Sequence, residues 1–331
     1  MEEQYKASPE RYNCGMQYRR CGNSGIVLPA VSLGLWHNFG SVDRFENARA
    51  MTRAAFDRGV THFDLANNYG PVFGSAEENF GKIIHKDFKT HRNEMIITTK
   101  AGHLMWPGPY GDGGSRKYLM SSIDDSLRRM NLDYVDIFYI HRHTPETPLE
   151  ETMQALVDIV RQGKALYVGI SKYPVDAMEE AYGYLKDRNV RCLVQQDRYS
   201  MFDRKVEGGV LDMASNSGVG FVAFSPLAQG LLTDRYLNGI PEGSRASRPE
   251  AFLKANQVTD ELVNKSRALN EVALRRGQTL SQMAIAWVLR LPEVTSAIIG
   301  ASSVEQLNTN LDSLNNLPFT QEEIKAIEAI L

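Results

Sequence analysis

Short apolar segments rich in Val, Ile, Phe and Tyr alternate along the chain with longer segments whose apolar residues recur every three or four positions. The first pattern is typical of buried strands, and the second is typical of helices that cover them. Eight strand candidates follow one another: AVSLGLW (30–36), THFDLA (61–66), MIITTK (95–100), YVDIFYIH (134–141), ALYVGIS (165–171), CLVQQ (192–196), GFVAFSP (220–226) and VTSAIIGA (294–301). Repeated strand–helix units of this kind predict an α/β protein with a parallel sheet.

The number and spacing of these units distinguish between two parallel architectures. A doubly wound nucleotide-binding sheet normally carries G-x-G-x-x-G after its first strand. Here the first strand is followed by HNFGSVDRF (37–45), which lacks that fingerprint. Eight units spread evenly along the chain instead predict a closed (β/α)8 TIM barrel. No linker or low-complexity segment interrupts the pattern, so we expect residues 1–331 to form a single domain.

Two segments lie outside the eight units. Residues 16–29 (MQYRRCGNSGIVLP) predict a β-hairpin with GNSG as its turn, and we expect this hairpin to plug the N-terminal mouth of the barrel. Residues 320–331 (TQEEIKAIEAIL) predict an additional C-terminal helix that starts at Thr320. Within the barrel, Ser75 and Glu78 have the spacing of a capping box at the start of a helix.

Composition and charge narrow the classes of function. The chain is 43% hydrophobic and 23% charged, which is ordinary for a globular protein, and its net charge of −3 provides no basic surface for nucleic acid. It has no apolar leader and no apolar run that would span a membrane. Its cysteines (Cys14, Cys21 and Cys192) are scattered and form no C-x-x-C pair, which indicates a reducing compartment. We therefore expect a cytoplasmic protein.

Polar residues end most of the predicted strands, and in a barrel the carboxyl ends of the strands build the functional site. These residues are Asp64, Lys100, His141, Ser171, Gln195, Gln196 and Ser225, with Tyr69 in the turn that follows Asp64. A lysine buried at this end must be paired or neutral, and Asp64 is the available partner. We expect the charge of Lys100 to lower the pKa of Tyr69 and make its phenol a proton donor near neutral pH.

A metal-dependent hydrolase is an alternative interpretation of the same strand ends. The HRH segment places His141 and His143 on one face of a strand, which suits two metal ligands. No second histidine pair or carboxylate cluster stands at another strand end, so we predict no metal. The glycines of PGPYGDGGS (107–115) favour a flexible loop over a phosphate cradle.

The segments FDLANNYG (63–70), TTK (98–100) and FYIHR (138–142), in this order and spacing, resemble the Asp, Tyr, Lys and His tetrad of the aldo-keto reductases. Three later segments are similar to the NADP(H)-binding segments of that family: VGIS (168–171), AFSPLAQGLLTDRY (223–236) and IIGASSVEQLNTN (298–310). The resemblance runs from about Tyr18 to Asn316, and it implies the same barrel fold.

The resemblance implies a catalytic role for Asp64, Tyr69, Lys100 and His141. Tyr69 would protonate the carbonyl oxygen of an aldehyde, and Lys100, paired with Asp64, would lower the pKa of that tyrosine. His141 would orient the carbonyl group. Hydride would pass from the nicotinamide to the carbonyl carbon, so that negative charge develops on the oxygen beside Tyr69 and His141. The substrate contacts would be Trp36, Tyr69, Trp106 and His141.

The resemblance also implies a binding site for NADPH. Ser171 and Gln196 would hold the carboxamide, and Phe224 would stack on the nicotinamide ring. A helix N-terminus with hydrogen-bond donors near Ser302 would suit a 2′-phosphate. The full set of implied cofactor contacts is Trp36, Asp64, Ser171, Gln196, Phe224, Ser225, Leu227, Gln229, Arg235, Arg245, Ser302, Gln306 and Asn310. Two residues depart from the family pattern: Lys172 stands where many members have Asn, and Thr309 replaces a frequent acidic residue.

Three segments, LGLWHNFG (33–40), ANNYGPVFGSAEENFG (66–81) and MWPGPYGDGGSRKYL (105–119), are similar to bacterial reductases of L-glyceraldehyde 3-phosphate and methylglyoxal. They are also similar to β-subunits of voltage-gated potassium channels, which usually carry Asn in place of His141. The leading hypothesis is therefore an NADPH-dependent reductase of small aldehydes. The alternative is an NADP(H)-binding regulatory subunit with little turnover.

Two further expectations follow from the resemblance to these reductases and subunits. Arg142 and Lys117 are the two candidate partners of a substrate phosphate. Related proteins form tetramers or octamers, so a homo-oligomer is expected.

Overall fold

The computed structural model describes residues 5–242, 245–247 and 253–331. Its strands are β1 (Tyr18–Arg20), β2 (Val27–Pro29), β3 (Val31–Gly34), β4 (His62–Asp64), β5 (Ile96–Ala101), β6 (Val135–Ile140), β7 (Ala165–Ser171), β8 (Cys192–Arg198), β9 (Gly220–Phe224) and β10 (Val294–Ile299). Its α-helices are α1 (Phe45–Asp57), α2 (Ser75–Asp87), α3 (Arg116–Met130), α4 (Leu149–Arg161), α5 (Val175–Asp187), α6 (Val210–Asn216), α7 (Asp260–Arg275), α8 (Leu280–Val288), α9 (Val304–Leu311) and α10 (Gln321–Glu328).

Strands β3 to β10 form a closed barrel in which each strand pairs in parallel with its neighbours along the chain, and β10 closes the ring against β3. Each of these strands lies within or beside one of the eight apolar segments, which confirms the predicted (β/α)8 barrel. The register matters for function because it aligns the strand ends. Asp64 of β4 lies opposite Thr98 of β5, and Ser171 of β7 lies opposite Gln196 of β8.

The helices pack outside the barrel because each presents an apolar face to the strands. In α4, for example, Met153, Leu156 and Val157 are fully buried at helical spacing. Burial of each such side chain contributes about 1.5–3 kcal/mol. The ends of α3 show how local chemistry sets helix limits: the Ser115 side chain accepts a hydrogen bond from the backbone N–H of Tyr118, and Asn131 ends the helix in a left-handed conformation.

The N-terminal hairpin closes the end of the barrel opposite to the carboxyl ends of the strands. Strands β1 and β2 pair antiparallel, as predicted for residues 16–29. Cys21 and Leu28 of the hairpin are buried among interior residues of the barrel that include Val194 and Val222. The backbone N–H of Asn23 donates to the carbonyl oxygen of Gly218, at a distance of 2.8 Å. The predicted plug is therefore confirmed.

The two predicted helix starts have different outcomes. Helix α10 begins after Thr320 with a capping box that includes Glu323, as predicted for the additional C-terminal helix. The capping box at Ser75 is wrong, because Gly74 is the N-cap of α2 and the Ser75 hydroxyl donates to the carbonyl oxygen of Val72. Gly74 adopts a left-handed φ of 88°, which glycine accommodates without strain. No helix within the described ranges is both long and apolar enough to cross a membrane.

Candidate active site

The carboxyl ends of β4, β5 and β6 bring Asp64, Lys100 and His141 to one end of the barrel, and the turn after β4 adds Tyr69. The Lys100 Nζ atom lies 2.5 Å from Asp64 Oδ2 and 3.3 Å from the Tyr69 hydroxyl. The rings of Tyr69 and His141 meet edge to face, with centroids 5.8 Å apart. Four groups predicted from separate segments of the chain therefore lie together in the structure.

Asp64 and Lys100 form a fully hydrogen-bonded ion pair within the protein. Only 2% of the Asp64 side chain and none of the Lys100 side chain is exposed. The Asp64 carboxylate also accepts from Thr98 Oγ1 at 2.9 Å and from Gln196 Nε2 at 3.0 Å, and Lys100 also donates to the Leu65 carbonyl oxygen at 2.7 Å. Burial lowers the pKa of Lys100, whereas Asp64 opposes this effect. The pair supplies hydrogen bonds at the barrel mouth with little net charge.

The environment of Tyr69 corrects one prediction from the sequence. Loss of contact with water raises the pKa of its phenol well above the ordinary value of 10.0, and the Asp64 carboxylate raises it further. The expected lowering by Lys100 is not found, because Asp64 offsets the lysine charge at 2.5 Å. Tyr69 is therefore protonated throughout the neutral pH range. The Lys100 ammonium still donates to the phenol oxygen and would stabilise a phenolate after proton transfer.

His141 is a neutral imidazole in this environment. Burial lowers its pKa well below 6.5, and the charges of Lys100 and Lys172 lower it further. A neutral imidazole donates from one ring nitrogen and accepts at the other. The Nδ1 atom of His141 is buried and has no hydrogen-bond partner among the described residues.

The two predicted aromatic residues of the substrate pocket differ in position. The Trp36 ring lies 6.2 Å from the Tyr69 ring, so it borders the cluster directly. Trp106 is 41% exposed on the loop after β5, and its ring packs 5.8 Å from the ring of Tyr118. Trp36 is thus an inner residue of the site, and Trp106 stands on an exposed loop.

The predicted carboxamide contacts are adjacent at the ends of β7 and β8. Ser171 and Gln196 are opposite each other in the register, and both are buried. Gln196 connects this part of the site to the ion pair through its hydrogen bond to Asp64. The Ser171 hydroxyl is buried and has no protein partner in the described part of the chain. Phe224 ends β9, with the Lys172 Nζ atom 6.0 Å from the centre of its ring.

The segment after β9 has an unusual backbone. Ser225, Ala228 and Gln229 have φ values of 56°, 46° and 60°, in the left-handed region that residues other than glycine rarely adopt. Such conformations cost about 1–3 kcal/mol each and cluster at ligand sites. Leu227 anchors the turn, because its carbonyl oxygen accepts from the backbone N–H groups of Gly230 and Leu232. This geometry is consistent with a backbone shaped to contact a ligand.

The predicted adenosine contacts lie around the start of α9. Gln306 Oε1 accepts from the backbone N–H and the hydroxyl of Ser302, at 2.8 and 3.0 Å. Asn310 is 2% exposed, and its Nδ2 atom has no partner among the residues described. Arg235 is exposed in a short 3-10 helix, Asp234–Tyr236. The side chain of Arg245 lies outside the described residues.

A histidine and a lysine near the cluster were not assigned a role from the sequence. The Lys172 Nζ atom lies 3.0 Å from His103 Nε2, and the His103 ring packs 4.5 Å from the ring of His141. In the sequence, Lys172 stands out only as a departure from the family pattern, and no motif marks His103. His103 follows β5 and Lys172 follows β7, so the contact bridges two strands that are separated by β6. The order of the segments in the sequence does not reveal such a contact.

The two predicted phosphate partners are engaged elsewhere. Arg142 donates to the Gly102 carbonyl oxygen at 2.8 Å and pairs with Asp112 at 2.9 Å. The Lys117 Nζ atom lies 5.3 Å from the centre of the Tyr110 ring. The role of either residue in binding a substrate phosphate stays a prediction.

His141 and His143 have separate ring contacts. The His143 ring packs 5.0 Å from the ring of Tyr173, whereas His141 packs against Tyr69 and His103. In the described parts of the chain, no three His, Cys, Asp or Glu side chains are grouped as metal ligands.

Comparison with known proteins gives a consistent result. Residues 30–331 match the sequence model of the Aldo/keto reductase family, whose members generally use nicotinamide cofactors. The chain is 54% identical to the L-glyceraldehyde 3-phosphate reductase of Escherichia coli K12 over 326 residues, which cover 97% of this chain and 94% of that protein. It is also 36% identical to the probable voltage-gated potassium channel subunit beta of Oryza sativa subsp. japonica, over 96% of this chain and 97% of that protein. The chain therefore belongs to the aldo/keto reductase family and is an oxidoreductase.

Proposed function

We propose that the chain catalyses the NADPH-dependent reduction of small aldehydes to alcohols, with L-glyceraldehyde 3-phosphate and methylglyoxal as the candidate substrates. The observation that carries this proposal is the Tyr69 hydroxyl, held 3.3 Å from a lysine that is itself paired with a buried aspartate. The 54% identity to the reductase of L-glyceraldehyde 3-phosphate supports the choice of substrate.

In this proposal Tyr69 is the general acid. A nicotinamide cofactor, when bound, would supply the hydride that reduces the carbonyl carbon. As negative charge builds on the carbonyl oxygen, Tyr69 donates its proton to that oxygen, and the ammonium of Lys100 stabilises the phenolate that remains. Neutral His141 orients the carbonyl group through a ring nitrogen. Asp64 holds Lys100 in place, while Trp36 and Trp106 enclose the substrate.

The residues proposed for the cofactor fit a nicotinamide dinucleotide in their chemistry. The unpartnered Ser171 hydroxyl and the neighbouring Gln196 amide would hold the carboxamide, and Phe224 would stack on the ring. The unpartnered Asn310 amide would bind at the adenosine end, with Ser302 and Gln306. Ser225, Leu227, Gln229, Arg235 and Arg245 would contact the diphosphate and cover it. The start of α9 would favour the 2′-phosphate of NADPH over NADH.

A substrate panel tests this function directly. The purified chain is expected to oxidise many equivalents of NADPH in the presence of L-glyceraldehyde 3-phosphate or methylglyoxal, followed by loss of the nicotinamide absorbance. NADH should support a lower kcat/KM, and omission of the aldehyde is the blank. Binding of NADPH without turnover of any small aldehyde would contradict the proposal.

The second candidate function is a regulatory subunit that binds NADP(H), motivated by the 36% identity to potassium channel β-subunits. His141 stands where those subunits usually carry Asn, and this favours turnover. The panel distinguishes the two functions, because a sensor would bind the cofactor and release product slowly or not at all.

We further propose that residues 1–331 form a single domain in a cytoplasmic homo-oligomer.

A further inference from the structure

We propose that Lys172, positioned by His103, forms an anion subsite that binds the phosphate group of a phosphorylated aldehyde. This inference rests on the proposed reductase function and adds a residue that determines which aldehydes are preferred. The subsite lies at the end of β7, directly after Ser171, on the same end of the barrel as Tyr69.

A chain of contacts through His103 links the Lys172 ammonium to the reacting groups. Its Nζ atom is 3.0 Å from His103 Nε2, the His103 ring is 4.5 Å from the His141 ring, and the His141 ring is 5.8 Å from the Tyr69 ring. Burial and neighbouring cations lower the pKa of His103 to about 4, so its imidazole is neutral. The imidazole therefore accepts one N–H of Lys172 and leaves the other N–H donors for a ligand.

His103 is itself fixed in position. Its backbone carbonyl oxygen accepts a hydrogen bond from the Tyr118 hydroxyl at 2.6 Å. The backbone of Lys172 is fixed as well, because its N–H donates to the Gln196 carbonyl oxygen at 3.1 Å. Both halves of the subsite are therefore preorganised, which reduces the entropy lost when an anion binds.

The charges around Lys172 favour an anion. The positive charges of Lys100, Arg198 and Arg142 act on Lys172, and the carboxylate of Asp197 opposes their effect. Lys172 forms no ion pair in the described part of the chain, unlike Lys100 and Arg142. Burial and these cations lower the pKa of Lys172 to about 8, so a dianion beside it would relieve an unfavourable arrangement.

The competing interpretation is that Lys172 contacts the cofactor. It stands where many family members have Asn, and its Nζ atom lies 6.0 Å from the centre of the Phe224 ring, where the nicotinamide is proposed to stack. A cofactor contact would affect every substrate alike. A phosphate contact would affect only phosphorylated substrates, and this difference provides the test.

The experiment compares L-glyceraldehyde 3-phosphate with unphosphorylated L-glyceraldehyde at saturating NADPH. In Lys172→Gln, we expect the ratio of their kcat/KM values to fall about 10- to 100-fold, the size of a lost charge-assisted hydrogen bond. Lys172→Arg should retain part of the ratio. Inorganic phosphate should inhibit reduction of unphosphorylated glyceraldehyde by the wild type, and should inhibit Lys172→Gln more weakly by a similar factor.

Two further variants sharpen the comparison. His103→Leu removes the acceptor of Lys172 and should lower the same ratio, which a purely structural role would not change. Lys186→Gln is the matched control, because Lys186 is exposed near the far end of the helix that follows β7. This control should leave both kcat/KM values at their wild-type levels.

Three results would overturn the proposal. An unchanged ratio in Lys172→Gln would show that the lysine does not bind phosphate. An equal loss on both aldehydes, with a raised KM for NADPH, would assign Lys172 to the cofactor. In both cases turnover of unphosphorylated aldehyde by the wild type would leave the reductase function standing. If the wild type reduces no aldehyde at all, the reductase function fails, and the subsite fails with it.

Discussion

Lys100 Nζ and Asp64 Oδ2 lie 2.5 Å apart, and both side chains are buried. Two neutral donors, the Thr98 hydroxyl and the Gln196 amide, also donate hydrogen bonds to the carboxylate. A buried pair of this kind adds little stability compared with apolar residues, but removal of one partner leaves an uncompensated charge. The pair therefore depends on both residues. The ion pair of Asp64 and Lys100 therefore matters both for the stability of the fold and for the proposed chemistry.

Asp64→Asn tests this dependence through pH. At pH 7 we expect a loss of about 3–5 kcal/mol in the free energy of unfolding, because Lys100 remains buried without its counter-charge. Burial already lowers the pKa of Lys100, and loss of Asp64 lowers it further. Between the lowered pKa of Lys100 in the folded variant and the unfolded lysine pKa of about 10.4, the folded variant binds fewer protons than the unfolded chain, so its stability rises with pH in that window.

Urea unfolding at pH 7 and pH 9.5 measures the effect. The deficit of Asp64→Asn relative to the wild type should narrow at the higher pH. Asp212→Asn, at an exposed position of α6, is the control and should show no pH-dependent deficit. A deficit that stays constant or widens as the pH rises would contradict the role assigned to the pair.

Residue-level prediction from the sequence succeeded where one chemical requirement decided the outcome. A buried lysine needs a partner, and Asp64 was the partner available at a neighbouring strand end. The pKa of Tyr69 was predicted in the wrong direction, because it depends on how closely Asp64 offsets Lys100 and on how much water reaches the phenol. The Lys172–His103 contact was missed, because it depends on the path of the loop after β5.

At the scale of elements, the strands were predicted well because each is a short apolar run that must be buried on both faces. The predictions of helix starts were less accurate than those of the strands. Thr320 is the N-cap of α10, whereas Gly74 rather than Ser75 caps α2. Sequence spacing alone did not distinguish these cases, since the turn before α2 takes a left-handed residue at its cap.

Close packing between α2 and α3 gives a prediction at this scale. A Cβ atom on Gly81 of α2 would lie 2.7 Å from the backbone of Met130 in α3, so Gly81→Ala should lower the free energy of unfolding by about 1–3 kcal/mol. A Cβ atom on Gly183, at an exposed position of α5, meets nothing within 4 Å. Gly183→Ala should therefore raise that free energy by about 0.5–1 kcal/mol through helix propensity.

The two alanine variants form a matched pair, because each replaces a glycine inside a helix. The urea midpoints of the two variants, analysed with a common m-value, give the change in the free energy of unfolding for each. We expect the two changes to have opposite signs. Shifts of the same sign would contradict the close approach of α2 and α3.

At the scale of the whole molecule, the hairpin that closes the barrel and the candidate active site lie at opposite ends of the barrel. The hairpin of β1 and β2 buries Cys21 and Leu28 in one end, and the cluster around Tyr69 occupies the other. The number and order of the apolar segments predicted this architecture, because eight parallel units have few other ways to bury all their strands. The preferred aldehyde was not predictable in the same way, since side chains such as Lys172 vary independently of the barrel.

The central claim is that Tyr69 delivers the proton to the substrate. Tyr69→Phe keeps the ring and removes only the hydroxyl that Lys100 contacts, so it should bind NADPH as tightly as the wild type. Its kcat/KM for methylglyoxal should fall about 10²- to 10⁴-fold, the usual contribution of a general acid. Tyr134→Phe is the matched control and should keep wild-type kinetics. Tyr134 directly precedes the first residue of β6, at the end of that strand far from His141. A Tyr69→Phe enzyme that reduces methylglyoxal at the wild-type rate would contradict the account.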